Sequence, residues 1–595
     1  MDHDFLRYYD SEIRYLKEAA KEFAQKFPDV ARQLGIDSVS LKTDESVEQL
    51  FQGFAFMMAQ VRRKIDDDIP ELTEPLLSHL LPVVNRTLPS TAVVELTPPQ
   101  PENHLREQTL PAGTELLSLP VSTMQYQRGN RCPYRTVSDL VIHPFSLATI
   151  SRYTRTEGGH ALRLRFNVIP QTDEQQISLN DIPLYLNGER PLQAALYLAL
   201  SQHVSRVRIR YGGETEQHPA DIHFSPRWHA PQSALWPESD SPALCGEVRP
   251  WLEYFSNPSR FFFMTLHSST PLTLPPECSH FELDIALSAL MPTNLPVPEE
   301  AIRMHCVPVI NLFRLAGEPL VTQPAQLDYR LRPHRLIDGH TEIYSVDTVS
   351  QKDEEDETEY PYVPYHHFRH KGGMLQYEQE WPERFFHTRT WRGVSGMHET
   401  LLMLGGRTHE QLPGVRLLLN LTCTNGAFPR MSLQQALFDT DYSTGNLSLR
   451  GRTRSLPSRP CYPPTTPRYQ WEVMSLLHPR ALSFLINNVE NLRFALGLFD
   501  WMGGRNNRRR IDGITGVSYR QAYNASHQWH GVRIHVELDE AQFSGLGDAR
   551  LFSELLEQFF TQYASIARFT QLTVVLSQSG IEWAWPERCI HRVLM

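Results

Sequence analysis

FLRYYDSEIRYLKEAAKEFAQKFPDVARQLG, residues 5–35, decides how this chain begins. Tyr9, Ile13, Leu16, Ala20, Phe23, Phe27, Val30 and Leu34 recur at steps of three and four, which sets them along one side of a 3.6-residue helix. Pro28 fits a first helical turn better than an interior one, where its missing N–H and its ring would break the ladder. The spacing predicts one helix over 4–26 and a short one over 28–34, stopped by Gly35. VEQLFQGFAFMMAQVRRKIDDDIPELTEPLLSHLLP, 47–82, extends the pattern. Ser46 and Gln49 have capping-box spacing, and Leu50, Phe54, Met57, Val61, Ile65 and Ile69 continue the apolar stripe, so this third helix is expected to be the longest. Asp66, Asp67 and Asp68 oppose the helix dipole and serve either as a solvated face or as contacts for a partner's cations. Pro70 and Pro75 bracket a short fourth helix through Leu76, Leu77, Leu80 and Leu81 to Pro82.

Phe51, Phe54, Phe56, Met57 and Met58 cannot all face one way on a single helix. A helix that is apolar on several sides needs neighbours on several sides. The chain's own later domains or a different subunit would satisfy it, and patterning does not choose between them.

With 595 residues the chain exceeds one hydrophobic core, so three or four domains are expected, and 41% apolar residues suffice to fill them. A formal charge of −11 argues against a general nucleic-acid coat. The opening MDHDFLRYYDSEIRYLKEAAKEF lacks the apolar segment and cleavage site of a signal peptide, and no apolar run approaches the roughly 18–20 residues that span a bilayer. Seven cysteines (132, 245, 278, 306, 423, 461 and 589) contain no CxxC pair, which fits a reduced, cytoplasmic setting.

From Leu88 the texture changes to short strands separated by prolines. ALRLRFNVI at 161–169 sets Leu162, Leu164, Phe166 and Val168 on one face, and VSRVRIRY at 204–211 opposes Val207 and Ile209 to Arg206, Arg208 and Arg210. Such alternation predicts a sheet with one buried and one wet face. QAALYLALSQHV at 193–204 reads as a helix, RFFFMTL at 260–266 as a buried strand, and HCVPVINLFRLAGEPL at 305–320 as a strand entering a turn at Pro308 and Asn311. Near the carboxyl end, Val532, Ile534, Val536 and Leu538 alternate, and Leu551, Phe552, Leu555, Leu556, Phe559, Phe560 and Tyr563 line a helix that leads to the strand FTQLTVVL at 569–576.

Two charged stretches stand out. Asp353, Glu354, Glu355, Asp356, Glu357 and Glu359 repel one another and predict a surface loop suited to a basic partner. WMGGRNNRRRI at 501–511 places Arg505, Arg508, Arg509 and Arg510 after a flexible double glycine, as a loop that is either solvated or docks an acidic protein. Chemistry is otherwise scarce. His398–Glu399 and His409–Glu410 lack the second histidine of HExxH, GVSG at 393–396 is not GxSxG, and His366, His367 and His370 have no cysteine to complete a zinc set. No catalytic, cofactor or metal residue is assigned. The aromatic clusters around WHAP at 228–231 and LWPE at 235–238 leave a carbohydrate-binding or carbohydrate-processing protein as the alternative reading.

As an ordered set, the two amino-terminal stretches, CVPVINLF at 306–313, LNLTCTNGAFP at 419–429 and VRIHVELDEAQFSGLGDARLFSELLEQFF at 532–560 resemble the TssF family of type VI secretion baseplate subunits, across the whole chain. The resemblance implies an α+β, multidomain wedge protein similar to those of contractile-phage baseplates. A helical module (1–85), a β-rich mixed domain (86–320), a second β-rich domain with the acidic loop (321–470) and an α/β domain (471–595) are expected. It further implies a non-enzymatic subunit, two copies of which join one TssG, with TssE and TssK, around a VgrG hub, to support sheath polymerisation. Neither nucleic acid nor membrane insertion belongs to that role, and the baseplate docks at the inner face of the bacterial inner membrane. Candidate contacts are Phe23, Leu50, Phe54, Phe56, Met57 and Val61 on the helical face, with Arg505, Arg508, Arg509 and Arg510; the acidic stretch and the arginine stretch match no fixed family motif.

Overall fold

The computed structural model describes residues 3–589 apart from 34–44, 67–75, 79, 98–106, 124–125, 156–157, 170–174, 213–216, 231–233, 237–247, 324–325, 327, 335–339, 353–358, 366–383, 394–396, 406–415, 434–436, 441–448, 465, 479–480, 526–528 and 565–567. The chain divides into two compact units, one of Met1–Leu76 with Thr465–Glu472, the other of Leu77–Pro464 with Val473–Met595.

The first unit is built on α1 (His3–Lys26), α2 (Pro28–Gln33) and α3 (Glu45–Asp66). Pro28 opens α2, as its missing N–H requires, and Asp29 stands in the first turn, where the helix dipole favours an anion. Over the described residues α1 has 24 residues and α3 has 22, and Ile69 lies outside them. One expectation is corrected. Helix α3 begins at Glu45, so Ser46 lies inside its first turn and not at its cap. Of the short fourth helix, 76–78 and 80 are helical, and 70–75 fall outside the described residues.

In the second unit, a closed antiparallel barrel takes its strands from distant parts of the chain: Thr91–Thr97, Cys306–Ile310, Pro133–Thr136, Glu115–Ser118, Leu437–Thr440 and Arg450–Thr453. These strands lie on both sides of the division expected at 320. Val94, Leu96, Leu116, Tyr134, Val309 and Phe438 fill the interior, which small barrels close with side chains. Gly451 is required there, since a Cβ would sit 2.9 Å from Val94 and 3.0 Å from Leu96. The turn expected at Pro308 is absent. Pro308 pairs with Val93 inside the strand, and the neighbouring Pro133–Thr136 strand pairs only with Val309 and Ile310, so the ladder demands no donor from residue 308.

Asn311 follows, fully buried. Its Nδ2 donates to Pro133 O at 2.6 Å and to Asn425 Oδ1 at 2.9 Å, and its Oδ1 accepts from Thr424 Oγ1 at 2.9 Å and Asn425 N at 2.6 Å. This knot ties the barrel to an eight-stranded sheet whose long central strands are Arg416–Thr424 and Glu342–Lys352, packed through Leu417, Leu419, Leu421 and Val349.

A five-stranded antiparallel sheet runs in the order His218–Ala220, Val204–Tyr211, His280–Leu287, His160–Val168, Phe145–Thr154. Its alternation is as expected: Leu162, Leu164, Phe166, Val207 and Ile209 are buried, and Phe166 stacks on Phe281 with ring centres 4.8 Å apart. The helix Arg190–Gln202 forms where predicted. The segment 260–266 is buried but begins as a 3-10 helix, Pro258–Phe262, before the strand Phe263–Ser268.

At the carboxyl end the strands Trp529–Leu538 and Arg568–Leu576 pair in parallel, joined by the helix Leu546–Thr561, with Ile514–Asn524 and Glu582–Ala584 at the edges. Parallel pairing needs such a crossover. The helix buries Leu551, Phe552, Leu555, Leu556, Phe559 and Phe560, and Phe552 meets Trp251 edge-on at 5.1 Å. Close approach to the Arg190–Gln202 helix depends on Gly547, whose added Cβ would lie 2.5 Å from the Ala194 carbonyl carbon.

Candidate assembly surfaces

In α1–α3 the buried described side chains are small, Glu12 apart. Ala24 of α1, Ala31 of α2, and Ala55 and Ala59 of α3 are buried, as is Glu12. Alanines one helical turn apart allow helix axes to approach closely. Lys17 Nζ donates to Glu48 Oε1 at 2.6 Å across the pair. Consequently the stripe read from the sequence is turned away from the seam: Leu50 is 69% exposed, Met57 59% and Phe54 45%, and Phe23, Phe27, Val30 and Phe56 are exposed as well. Phe23 and Phe27 bring their ring centres within 5.5 Å at the surface. The side chain of Val61 lies outside the described residues. Single exposed apolar residues are ordinary; here the seven named lie on one small unit.

The arginine stretch is corrected from loop to helix. Gly503, with φ +58°, makes the turn, and Arg505–Asp512 is helical. Helical spacing divides the four arginines. Arg505, Arg508 and Arg509 are exposed, Arg509 donating to Ala541 O at 3.2 Å. Arg510 turns inward and is buried, its Nε donating to Asp548 Oδ2 at 2.8 Å. A fully buried Asp548 also accepts from Arg190 at 2.9 Å, from the Tyr254 hydroxyl at 3.2 Å and from Ser544 N at 3.1 Å. Burial by itself would raise this carboxyl, but the guanidiniums of Arg190 and Arg510 outweigh it and hold the group down to about 2. This clasp joins the carboxyl-terminal helix to helices some 300 residues earlier. Sequence reading missed Asp548 and Arg190, because no local pattern pairs residues 358 positions apart.

The remaining candidates divide between structural roles and undescribed positions. The acidic stretch 353–358 and His366, His367 and His370 lie outside the described residues; Glu359 is exposed, paired in register with Lys352. His398 Nδ1 is 3.2 Å from Thr87 Oγ1, and Glu399 forms an ion pair with Arg330 at 2.6 Å. Among the described residues no group of three His, Cys, Asp or Glu side chains could hold a metal ion, the six described cysteines are free thiols, and no helix is long and apolar enough to cross a membrane. The tryptophans that prompted the carbohydrate reading are inside: Trp228 and Trp236 are buried, leaving neither as a platform for a sugar.

The model of the family described as Type VI secretion system, TssF, matches residues 1–592. The chain is 25% identical over 637 residues to the Type VI secretion system component TssF1 of Pseudomonas aeruginosa, covering 98% of each. Among solved structures, it is similar to a chain of the type VI secretion system TssK–TssF–TssG baseplate subcomplex, with a TM-score of 0.78 and 37% identity over 92% of this chain and 99% of that one. It is also similar to a chain of the baseplate complex from the type VI secretion system, with a TM-score of 0.65 and 30% identity over 99% of this chain and 100% of that one.

Proposed function

This chain belongs to the TssF family of the type VI secretion system and is a non-enzymatic structural component of the baseplate wedge; from that premise we propose that its helical unit holds the wedge together. The carrying observation is the outward display of Phe23, Leu50, Phe54, Phe56 and Met57 around an alanine seam. A subunit that folded for itself alone would turn those side chains in, since burying each contributes roughly 1.5–3 kcal/mol. Two copies stand with one TssG, joined by TssE and TssK around VgrG, and the assembly supports sheath polymerisation from the cytoplasmic side of the inner membrane. The similar chain in the TssK–TssF–TssG subcomplex supports association with TssG and TssK.

Arg505, Arg508 and Arg509 form a second contact in this reading, for an acidic partner surface, while Arg510 is retained for the internal clasp. Coexpression with TssG followed by native mass spectrometry tests the whole: a species of two copies with one TssG is expected. A folded chain that stays monomeric with TssG, TssE and TssK all present would refute it.

A further inference from the structure

Because strands alternate their side chains, the five-stranded sheet has one apolar face and one charged face. Register places Arg163 and Arg208 on either side of Asp284, and Arg165 and Arg210 on either side of Glu282. Arg206 extends the row opposite Ala286. The two carboxylates lie low in this layer. Asp284 is buried and accepts from Arg163 Nε and from Gln217 Nε2, each at 2.7 Å, and Glu282 is held by Arg210 and, at 3.5 Å, by Arg163. Arg165 and Arg206 are exposed, and among the described residues neither forms an ion pair; Arg208 reaches only Gln217 Oε1, at 3.4 Å. Among the described residues, five guanidiniums over two carboxylates leave an excess of three positive charges on this face, in a chain whose formal charge is −11. The two arginine rows stand two strands apart, roughly 9–10 Å, and within a row the side chains are about 7 Å apart, so the uncompensated charges raise one another's energy and an anionic occupant would relieve them.

We propose that this face docks the acidic run 353–359 of a second copy of the chain. That run carries six carboxylates in seven residues, the complementary charge at comparable density. The pair Lys352 and Glu359 closes its base in a different sheet. Nucleic acid fits less well. The rest of the chain repels a polyanion, and the Tyr153 ring beside this face is already covered by Arg163 at 4.8 Å. The inference rests on the two-copy reading above only for bringing the surfaces together; the face itself is tested without any wedge partner.

The probe is a labelled peptide of residues 351–360, QKDEEDETEY, titrated onto the full chain at about 50 mM salt and then at rising salt. Binding that weakens with salt is expected. Replacing Arg165, Arg206 and Arg208 by Glu should weaken it at least about tenfold and flatten the salt dependence, while Arg505→Glu with Arg508→Glu should leave it unchanged. Arg165→Gln with Arg206→Gln, both exposed, should weaken it about threefold with unchanged thermal unfolding, and serves if the triple variant misfolds. No binding at millimolar peptide, or equal binding by all variants, overturns the proposal. So does displacement of the peptide by a DNA oligonucleotide of equal charge at lower concentration. Glu355→Cys and Arg206→Cys placed in differently tagged copies should cross-link in the complex; cross-linking confined to one copy that carries both overturns the intermolecular assignment.

Discussion

Two amphipathic helices of this molecule, α3 and Leu546–Thr561, read alike in sequence and end in opposite environments. Both repeat Phe and Leu, with Met in α3, at steps of three and four. In the carboxyl-terminal helix Leu551, Phe552, Leu555, Leu556, Phe559 and Phe560 are buried by the chain itself, whereas in α3 Leu50, Phe54, Phe56 and Met57 are exposed and the alanines take the seam. Periodicity identifies an apolar stripe but not what covers it. Small residues decide: Gly547 and Ala55 each mark where another helix comes close, and the large side chains follow from that.

The comparison breaks most sharply at glycine. Gly547→Ala drives a methyl into the Ala194 backbone, which cannot yield as a flexible side chain would, and should destabilise the second unit by about 3 kcal/mol or more, read as a lowered denaturation midpoint or loss of soluble protein. Asp548→Asn comes next. It leaves the half-buried Arg190 and the buried Arg510 beside a neutral amide and should cost about 3 kcal/mol by chemical denaturation.

The same carboxyl makes a pH prediction. Its folded value of about 2 lies below the ordinary aspartate value near 3.9, so its stabilising contribution is complete above about pH 4 and is lost as pH falls through about 2. The unfolding free energy measured from about pH 5 down to 2 should therefore fall less steeply in Asp548→Asn than in the parent chain.

Smaller effects are expected in α3. Phe54→Asp should shift stability by no more than about 1 kcal/mol, since the side chain is 45% exposed, while abolishing copurification with TssG. Misfolding of Phe54→Asp would return this stripe to the chain's own core; normal folding with normal TssG yield would remove Phe54 from the contact. Smallest of all, Gly53→Ala meets nothing within 4 Å and should raise stability by about 0.5–1 kcal/mol through helix propensity, the reverse of Gly547→Ala.

Legibility followed the range of the interactions. The strands His160–Val168 and Trp529–Leu538 and the helix after them were readable because alternation and helical period are local. The barrel was not, since its six strands span residues 91 to 453 and only their closure gives Pro308 a place inside a strand. Of the candidate contacts, the helical stripe was found by period, but its outward direction was not, and Arg510 was grouped with its neighbours until helical geometry separated it from them. Asp548 gave no signal at all, for its meaning lies in an arginine that the fold alone brings near.

The knot at Asn311 bears on how load would travel through such a subunit. Both amide hydrogens and two acceptor positions of this side chain are engaged, and its backbone N–H donates to Ser90 O at 2.8 Å. Turning the barrel against the eight-stranded sheet would break several of these bonds at once, at a side chain buried from solvent. The joint thus behaves as a weld and not as a hinge, so a push on one sheet arrives at the other as displacement with little of it absorbed between them.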